Sequence, residues 1–254
     1  MTGTRTQSAI TTLVQLSLVT TFMTLMGCAT TQVVTANSKP PVQLQTVILD
    51  AERVDVMILP FAPNLETLPT SGSDDIPVSA EVRRAESRYL AFHLKDTLER
   101  TGNWGIVRVV PSAARHHPLL VSGRILASDG ERLAVSVTAT DASGRVWLTQ
   151  TYEDNASKYA YQSIKEDPFQ DLYNNIANDL VLQYQARAVS EISNIEQIAQ
   201  LAFAADLAPD AFSGYLIENK DGTTSVAQAP ADSDAILQRV AKIRAQDDLL
   251  VDTL

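Results

Sequence analysis

Leu119-Leu120-Val121-Ser122-Gly123-Arg124-Ile125-Leu126-Ala127 and Leu133-Ala134-Val135-Ser136-Val137-Thr138-Ala139-Thr140 stand on either side of Asp129-Gly130. An Asp-Gly pair between two apolar runs is a hairpin signal, because glycine supplies the positive φ that a tight turn needs. In the second run Leu133, Val135, Val137 and Ala139 alternate onto one face. Asp141-Ala142-Ser143-Gly144 then turns the chain into a third run, Arg145 to Tyr152, in which Val146 and Leu148 oppose Trp147 and Thr149. Three strands joined by short turns read as an antiparallel meander.

Working upstream, Val54-Asp55-Val56-Met57-Ile58-Leu59-Pro60-Phe61 is a buried strand ended by proline. A Pro-, Ser-, Gly- and Asp-rich loop runs from Ala62 to Val78. A helix is predicted from Ser79 to Thr101, with Ser79 as its cap and Gly102 as its stop. Its inward stripe is expected to carry Ala85, Tyr89 and Phe92, widened by Leu90, Leu94 and Leu98. Ile106 to Val110, ended by Pro111, is a further strand.

Downstream, Asp167-Pro168 marks a helix start. Phe169, Leu172, Tyr173, Ile176, Leu180 and Tyr184 hold helical spacing to about Val189. Ser193 and Glu196 suggest a capping box for a second helix through Phe203, which Pro209 ends. Ser233 precedes a final helix with Ile236, Leu237, Val240 and Ile243 in register. No internal repeat appears at a period of about 20 to 50 residues. The expected fold class is α+β: a mostly antiparallel sheet with a covering helix, over 47–160, followed by a helical C-terminal region over 161–254.

The N-terminus fixes a different matter. Leu25-Met26-Gly27-Cys28 closes a charge-free apolar run that begins at Ile10, and Cys28 is the one cysteine of the chain. The run is about 17 residues, short for a membrane span. Arg5 gives it a positive start, and small Gly27 suits a signal peptidase pocket. The pattern is similar to the lipobox of bacterial lipoprotein precursors. It implies a signal peptide over 1–27, cleavage between Gly27 and Cys28, and acyl chains (palmitate and its like) on Cys28. The other reading is an uncleaved anchor with a chance cysteine. Ala29 in place of Asp favours the outer membrane by the enterobacterial sorting rule. Multiple acyl chains anchor stably where one does not. Residues 28–46, with Pro40-Pro41, read as a tether.

The whole chain of 254 residues carries 20 Lys+Arg and 30 Asp+Glu, a net charge of −10, and removing the segment with Arg5 makes it −11. Such a surface argues against nucleic acid, whose phosphates demand basic patches. It also argues against lying flat on anionic lipid. With Cys28 acylated, no thiol is left for a disulfide, a thiolate metal site or a nucleophile.

Candidate chemistry is sparse. His116-His117 lack a third ligand at metal spacing. His93 lies on a predicted helix near Lys95 and Asp96. Asp74-Asp75, Glu166-Asp167 and Asp129-Gly130-Glu131 single out no catalytic pair and complete no calcium loop. Gly102-Asn103-Trp104-Gly105 lacks the ending of a phosphate loop. No catalytic residue, metal site or cofactor beyond the covalent lipid is expected. The aromatic group Tyr152, Tyr159, Tyr161, Phe169 and Tyr173 divides into core residues, Tyr152 and Tyr173, and a possible partner-binding pair, Tyr159 and Tyr161.

The order of "Val-Met-Ile-Leu-Pro-Phe" (56–61), a helix, "Gly-Asn-Trp-Gly-Ile-Val-Arg-Val-Val" (102–110) and "Leu-Leu-Val-Ser-Gly-Arg-Ile" (119–125) resembles a periplasmic superfamily. Its members include the LpoB activators of penicillin-binding proteins, the N-terminal domain of TolB and the curli secretion lipoprotein CsgG. The resemblance covers 53–152 and implies an α+β periplasmic fold. The transmembrane hairpins of CsgG, the propeller of TolB and the long linker of LpoB have no counterpart here. Residues 230–254, with "Arg-Val-x-x-Ile-Arg" at Arg239 to Arg244, look like the C-terminus of a group of proteobacterial outer-membrane lipoproteins, a likeness that implies no activity. The leading expectation is a lipid-anchored, non-enzymatic accessory or scaffold protein that binds another envelope protein. The alternatives are a cell-wall or glycan-acting enzyme with carboxylates that sequence does not single out, and a self-associating structural or secretion component.

Overall fold

The computed structural model describes residues 33–35, 40–44, 53–68, 79–156, 167–231 and 234–251. Six strands form one sheet: β1 (Val33–Thr35), β2 (Val56–Ile58), β3 (Val107–Val109), β4 (Leu119–Ser128), β5 (Arg132–Asp141) and β6 (Val146–Asn155), in the order β1-β6-β5-β4-β2-β3. The expected meander is its centre. β4, β5 and β6 pair antiparallel over ten residues each. Gly130 at φ 90° and Gly144 at φ 85° turn the two hairpins. Leu133, Val135, Val137 and Ala139 are buried as their alternation required.

The flanks are parallel, which makes the sheet mixed. Helix α1 (Ala80–Thr101) carries the chain from β2 to β3, and such a crossover returns the strand in the same direction. β2 also runs parallel to β4, and β1 parallel to β6. The protein is thus α+β, with its helical part following the sheet: α2 (Gln170–Gln185), α3 (Val189–Leu207), the short α4 (Pro209–Phe212), a hairpin of β7 (Leu216–Glu218) and β8 (Thr224–Val226), and α5 (Ala235–Val251). The hairpin was not expected. Its strands are three residues each, too short for alternation to show.

Helix α1 is capped as expected: the Ser79 side chain accepts from Val82 N, and Gly102 at φ 67° ends it. Its inward stripe is the expected one only in part, through Leu90, Leu94 and Leu98. Arg83, Ser87, Leu90, Leu94, Thr97, Leu98 and Thr101 are buried, whereas Ala85 is exposed and Tyr89 and Phe92 are each 53% exposed. The stripe is polar at both ends: Arg83 donates to Ser128 O at 2.9 Å and the Ser87 hydroxyl to Phe61 O, while Thr97 Oγ1 accepts from Gln170 Nε2 at 3.2 Å and Thr101 Oγ1 donates to Leu98 O at 2.6 Å. Helix α3 begins at Val189, four residues before Ser193. Glu191 caps it by accepting from Ala188 N at 3.1 Å, so Ser193 and Glu196 form no box. Ser233 lies outside the described residues. Asp234 accepts from Ile236 N and Leu237 N at the start of α5.

One core runs from β2 through the meander to α1, α2 and the first turns of α3, with Ile192 and Ile195. A second, smaller cluster joins Leu201, Phe203 and Ala204 of α3 to Phe212 and Val240. Helix α3 therefore belongs to both. Part of the stretch 28–46, read from the sequence as a tether, is described. β1 pairs with β6, and Pro40 to Leu44 is fixed to the body. Asn178 Oδ1 accepts from Val42 N at 2.7 Å, and Asn103 bridges Leu44 N and Val42 O. Asn103 lies in the glycine-bearing segment 102–105 and serves as this clamp.

Gly123 shows how tightly the sheet is packed. A Cβ on it would lie 2.5 Å from Cε2 of Phe61, itself buried. Gly123→Ala should cost about 1–3 kcal/mol, since the ring must leave its place in a packed core. Urea unfolding checks this. Phe61→Leu frees the space, so in the double variant the two losses should sum to less than their separate values.

Candidate functional site

Among the described residues the two cores leave the outer face of α1 uncovered. Arg88, Phe92, Lys95 and Glu99 follow one another at helical spacing along it, and they wall a groove whose other side is β3. Pro60, Ile106, Arg108 and Pro111 complete the lining, and the groove encloses about 840 Å³. Phe92 is 53% and Ile106 44% exposed. Lys95 is held by Glu99 at 2.8 Å. Three cations and one carboxylate line the groove, against the acidic excess of the whole chain.

β3 itself is the last strand of the sheet, paired on one side by β2. Val56 N donates to Ile106 O at 2.8 Å, and Val110 N donates to Ile58 O at 2.9 Å. In a parallel ladder this register turns Ile106, Arg108 and Val110 toward β2 and leaves the N–H and C=O of Val107 and Val109 pointing away. Sequence reasoning missed this site by placing Phe92 on the inward stripe. The signal was present in the spacing of Arg88, Phe92, Lys95 and Glu99, a mixed stripe that suits a surface better than a core.

A second cleft, of about 600 Å³, lies between α3 and α5, lined by Ser193, Glu196, Gln197, Gln200, Val240 and Arg244. At its base Glu196 Oε1 accepts from Asp55 N at 3.4 Å. Burial, then repulsion from the Asp55 carboxylate, push the Glu196 carboxyl up to about 7, against the opposing pull of the Asp55 N–H and of Arg244. Asp55 is engaged elsewhere: its Oδ1 accepts from Ile106 N at 2.7 Å and would lie 2.3 Å from a Cβ on Gly105.

Of the residues singled out in the sequence, Gly27, Cys28, Tyr159, Tyr161, Asp74, Asp75 and Glu166 lie outside the described residues. Tyr152 and Tyr173 are core. The Tyr152 hydroxyl donates to Asp179 Oδ2 at 2.9 Å, and Phe169 packs on the same cluster. His93 sits between α1 and α2. Its Nε2 is 2.9 Å from Gln170 Oε1, and its ring meets Tyr173 edge-on at 4.4 Å. Beside it Tyr89 donates to Asp167 Oδ2 at 2.5 Å, and burial together with that carboxylate pushes its hydroxyl up to about 12. His116 and His117 stack edge-on at 4.9 Å, with His116 Nδ1 3.2 Å from Asp206 Oδ2. Among the described residues no group of three or more His, Cys, Asp or Glu is placed to hold a metal ion. Asp129 closes its turn, its Oδ1 accepting from Glu131 N and Arg132 N.

No helix among the described residues is long and apolar enough to cross a membrane. No protein family model and no curated protein matches the chain. Among solved structures, protein XCC0632 of Xanthomonas campestris, described as a DUF330 protein, is similar at a TM-score of 0.37 and 10% identity, over 61% of this chain and 97% of its own. The hypothetical protein CT253 of Chlamydia trachomatis is similar at 0.34 and 11% identity, over 53% of this chain and 100% of its own. Scores this low assign neither a family nor an activity.

Proposed function

We propose that this chain is a lipoprotein anchored through Cys28 to the periplasmic face of the outer membrane, where it acts as a non-enzymatic accessory or scaffold protein for another envelope protein. The observation that supports this most is the groove between α1 and β3. It combines exposed Phe92 and Ile106, an open strand edge and a local excess of cations. Apolar anchors with a charged rim are what protein recognition uses. The lipobox at Leu25 to Cys28 supports the anchoring.

The test is in-cell crosslinking. A photo-reactive residue in place of Phe92 of the anchored protein should give one reproducible adduct with an envelope protein. Arg88→Glu should reduce that adduct at least about fivefold, and Cys28→Ala should remove it by releasing the body from its membrane. A hydrolytic activity on cell wall or glycan that one side-chain change abolishes would overturn the reading in favour of the enzyme. An adduct only with a second copy of the chain would favour the self-associating component.

A further inference from the structure

Resting on that reading, we infer that the occupant of the groove is an extended, acidic segment of the partner, added to the sheet as a seventh strand beside β3. Three observations converge. The N–H and C=O groups of Val107 and Val109 point out of the sheet, and among the described residues no strand pairs with that edge. An extended backbone satisfies such a row with two donors and two acceptors, and this main-chain pairing supplies affinity whatever the side chains. Beside the edge, the α1 stripe sets an apolar anchor, Phe92, between Arg88 and Lys95. A strand's side chains alternate in direction. Carboxylates on the face turned to α1 would therefore meet Arg88 and Lys95 beside Phe92, and apolar residues on the opposite face would lie along Ile106.

The same features disfavour a second copy of this chain. Two identical grooves brought edge to edge would set the cationic Arg88 and Lys95 stripe of one against that of the other.

The experiment measures fluorescence anisotropy with the full-length protein in detergent. The probe is a labelled eight-residue peptide that alternates glutamate with valine. Saturable binding is expected, weakened at least about tenfold by Arg88→Glu and by raising salt from about 50 to 500 mM, which screens exposed charge. A peptide with lysine for glutamate should bind at least tenfold more weakly. Two further peptides, N-methylated at every valine or at every glutamate, keep all side chains but remove one set of backbone donors. One of them should lose at least tenfold. If both bind like the parent, strand addition is wrong, and no folding defect of the protein can be blamed. If the parent peptide does not bind while the Phe92 crosslink to a partner persists, partner binding stands and the acidic strand falls. If both fail, both fall.

Discussion

Asp141→Ala is expected to lower stability by about 3–5 kcal/mol, a loss visible as a fall in Tm on the order of 10 °C for a body of this size. Asp141 ends β5 and is 5% exposed. Its Oδ1 accepts from Ser143 N at 2.9 Å, the Ser143 hydroxyl at 2.5 Å and Arg145 N at 3.2 Å, which fixes the β5–β6 turn. Its Oδ2 accepts from Trp147 Nε1 at 2.8 Å. Trp147 is 4% exposed and carries the Arg187 guanidinium 4.0 Å over its ring. Alanine leaves a buried indole N–H and the turn amides without an acceptor, and each such orphan costs about 1–3 kcal/mol. Asparagine keeps one oxygen but sets an NH2 against a donor, so Asp141→Asn should fall between the wild type and alanine. Urea unfolding of the three proteins decides it. An alanine variant within 1 kcal/mol of the wild type would mean that water replaces the carboxylate at no cost.

That turn also marks where sequence and structure part. Asp141-Ala142-Ser143-Gly144 is legible as a turn, because Gly144 supplies the positive φ and Asp and Ser bond their own backbone. Val146 and Trp147 oppose each other as expected, 53% and 4% exposed, but the register shifts between Ala139 and Thr140, and Leu148 packs on the same core as Trp147. Alternation cannot show a bulge. On α1 the expected inward positions of Ala85, Tyr89 and Phe92 failed for a related reason, while Leu90, Leu94 and Leu98 held. Tyr89 and Phe92 are largely apolar, yet Arg83, Ser87 and Thr97 take the buried positions, since each finds a partner distant in sequence: Ser128 O, Phe61 O and the Gln170 amide N–H. The core of the meander was readable because hydrophobicity alone decides it. The groove beside β3 was not. It depends on which strand ends the sheet, and strand order is not written in periodicity. Nor was the clamp at Asn103, whose partners Val42 and Leu44 are about 60 positions away.

Glu196 carries the second large effect, read as the dependence of stability on pH. Its carboxyl is held near 7 in the fold, mainly by burial and then by the Asp55 carboxylate, against about 4.3 in an unfolded chain. A group whose pKa is raised on folding contributes stability that is fully present below the unfolded value and is lost as pH rises through the folded one. The wild type should therefore lose stability steadily between about pH 4.5 and 7. The bound is about 4 kcal/mol, which the partial exposure of Glu196 lowers to ~2 kcal/mol. Glu196→Gln keeps an oxygen for Asp55 N, and neither burial nor Asp55 penalises an uncharged amide. The variant should match the wild type near pH 4.5 and exceed it by ~2 kcal/mol at pH 8. Asp154, which burial also pushes up, titrates in both proteins, so the difference between their curves isolates Glu196. Curves from chemical denaturation that stay parallel from pH 4.5 to 8 would show that Glu196 is ionised at no cost. The cleft between α3 and α5 would then be wetter, and Arg244 a closer partner, than the geometry indicates.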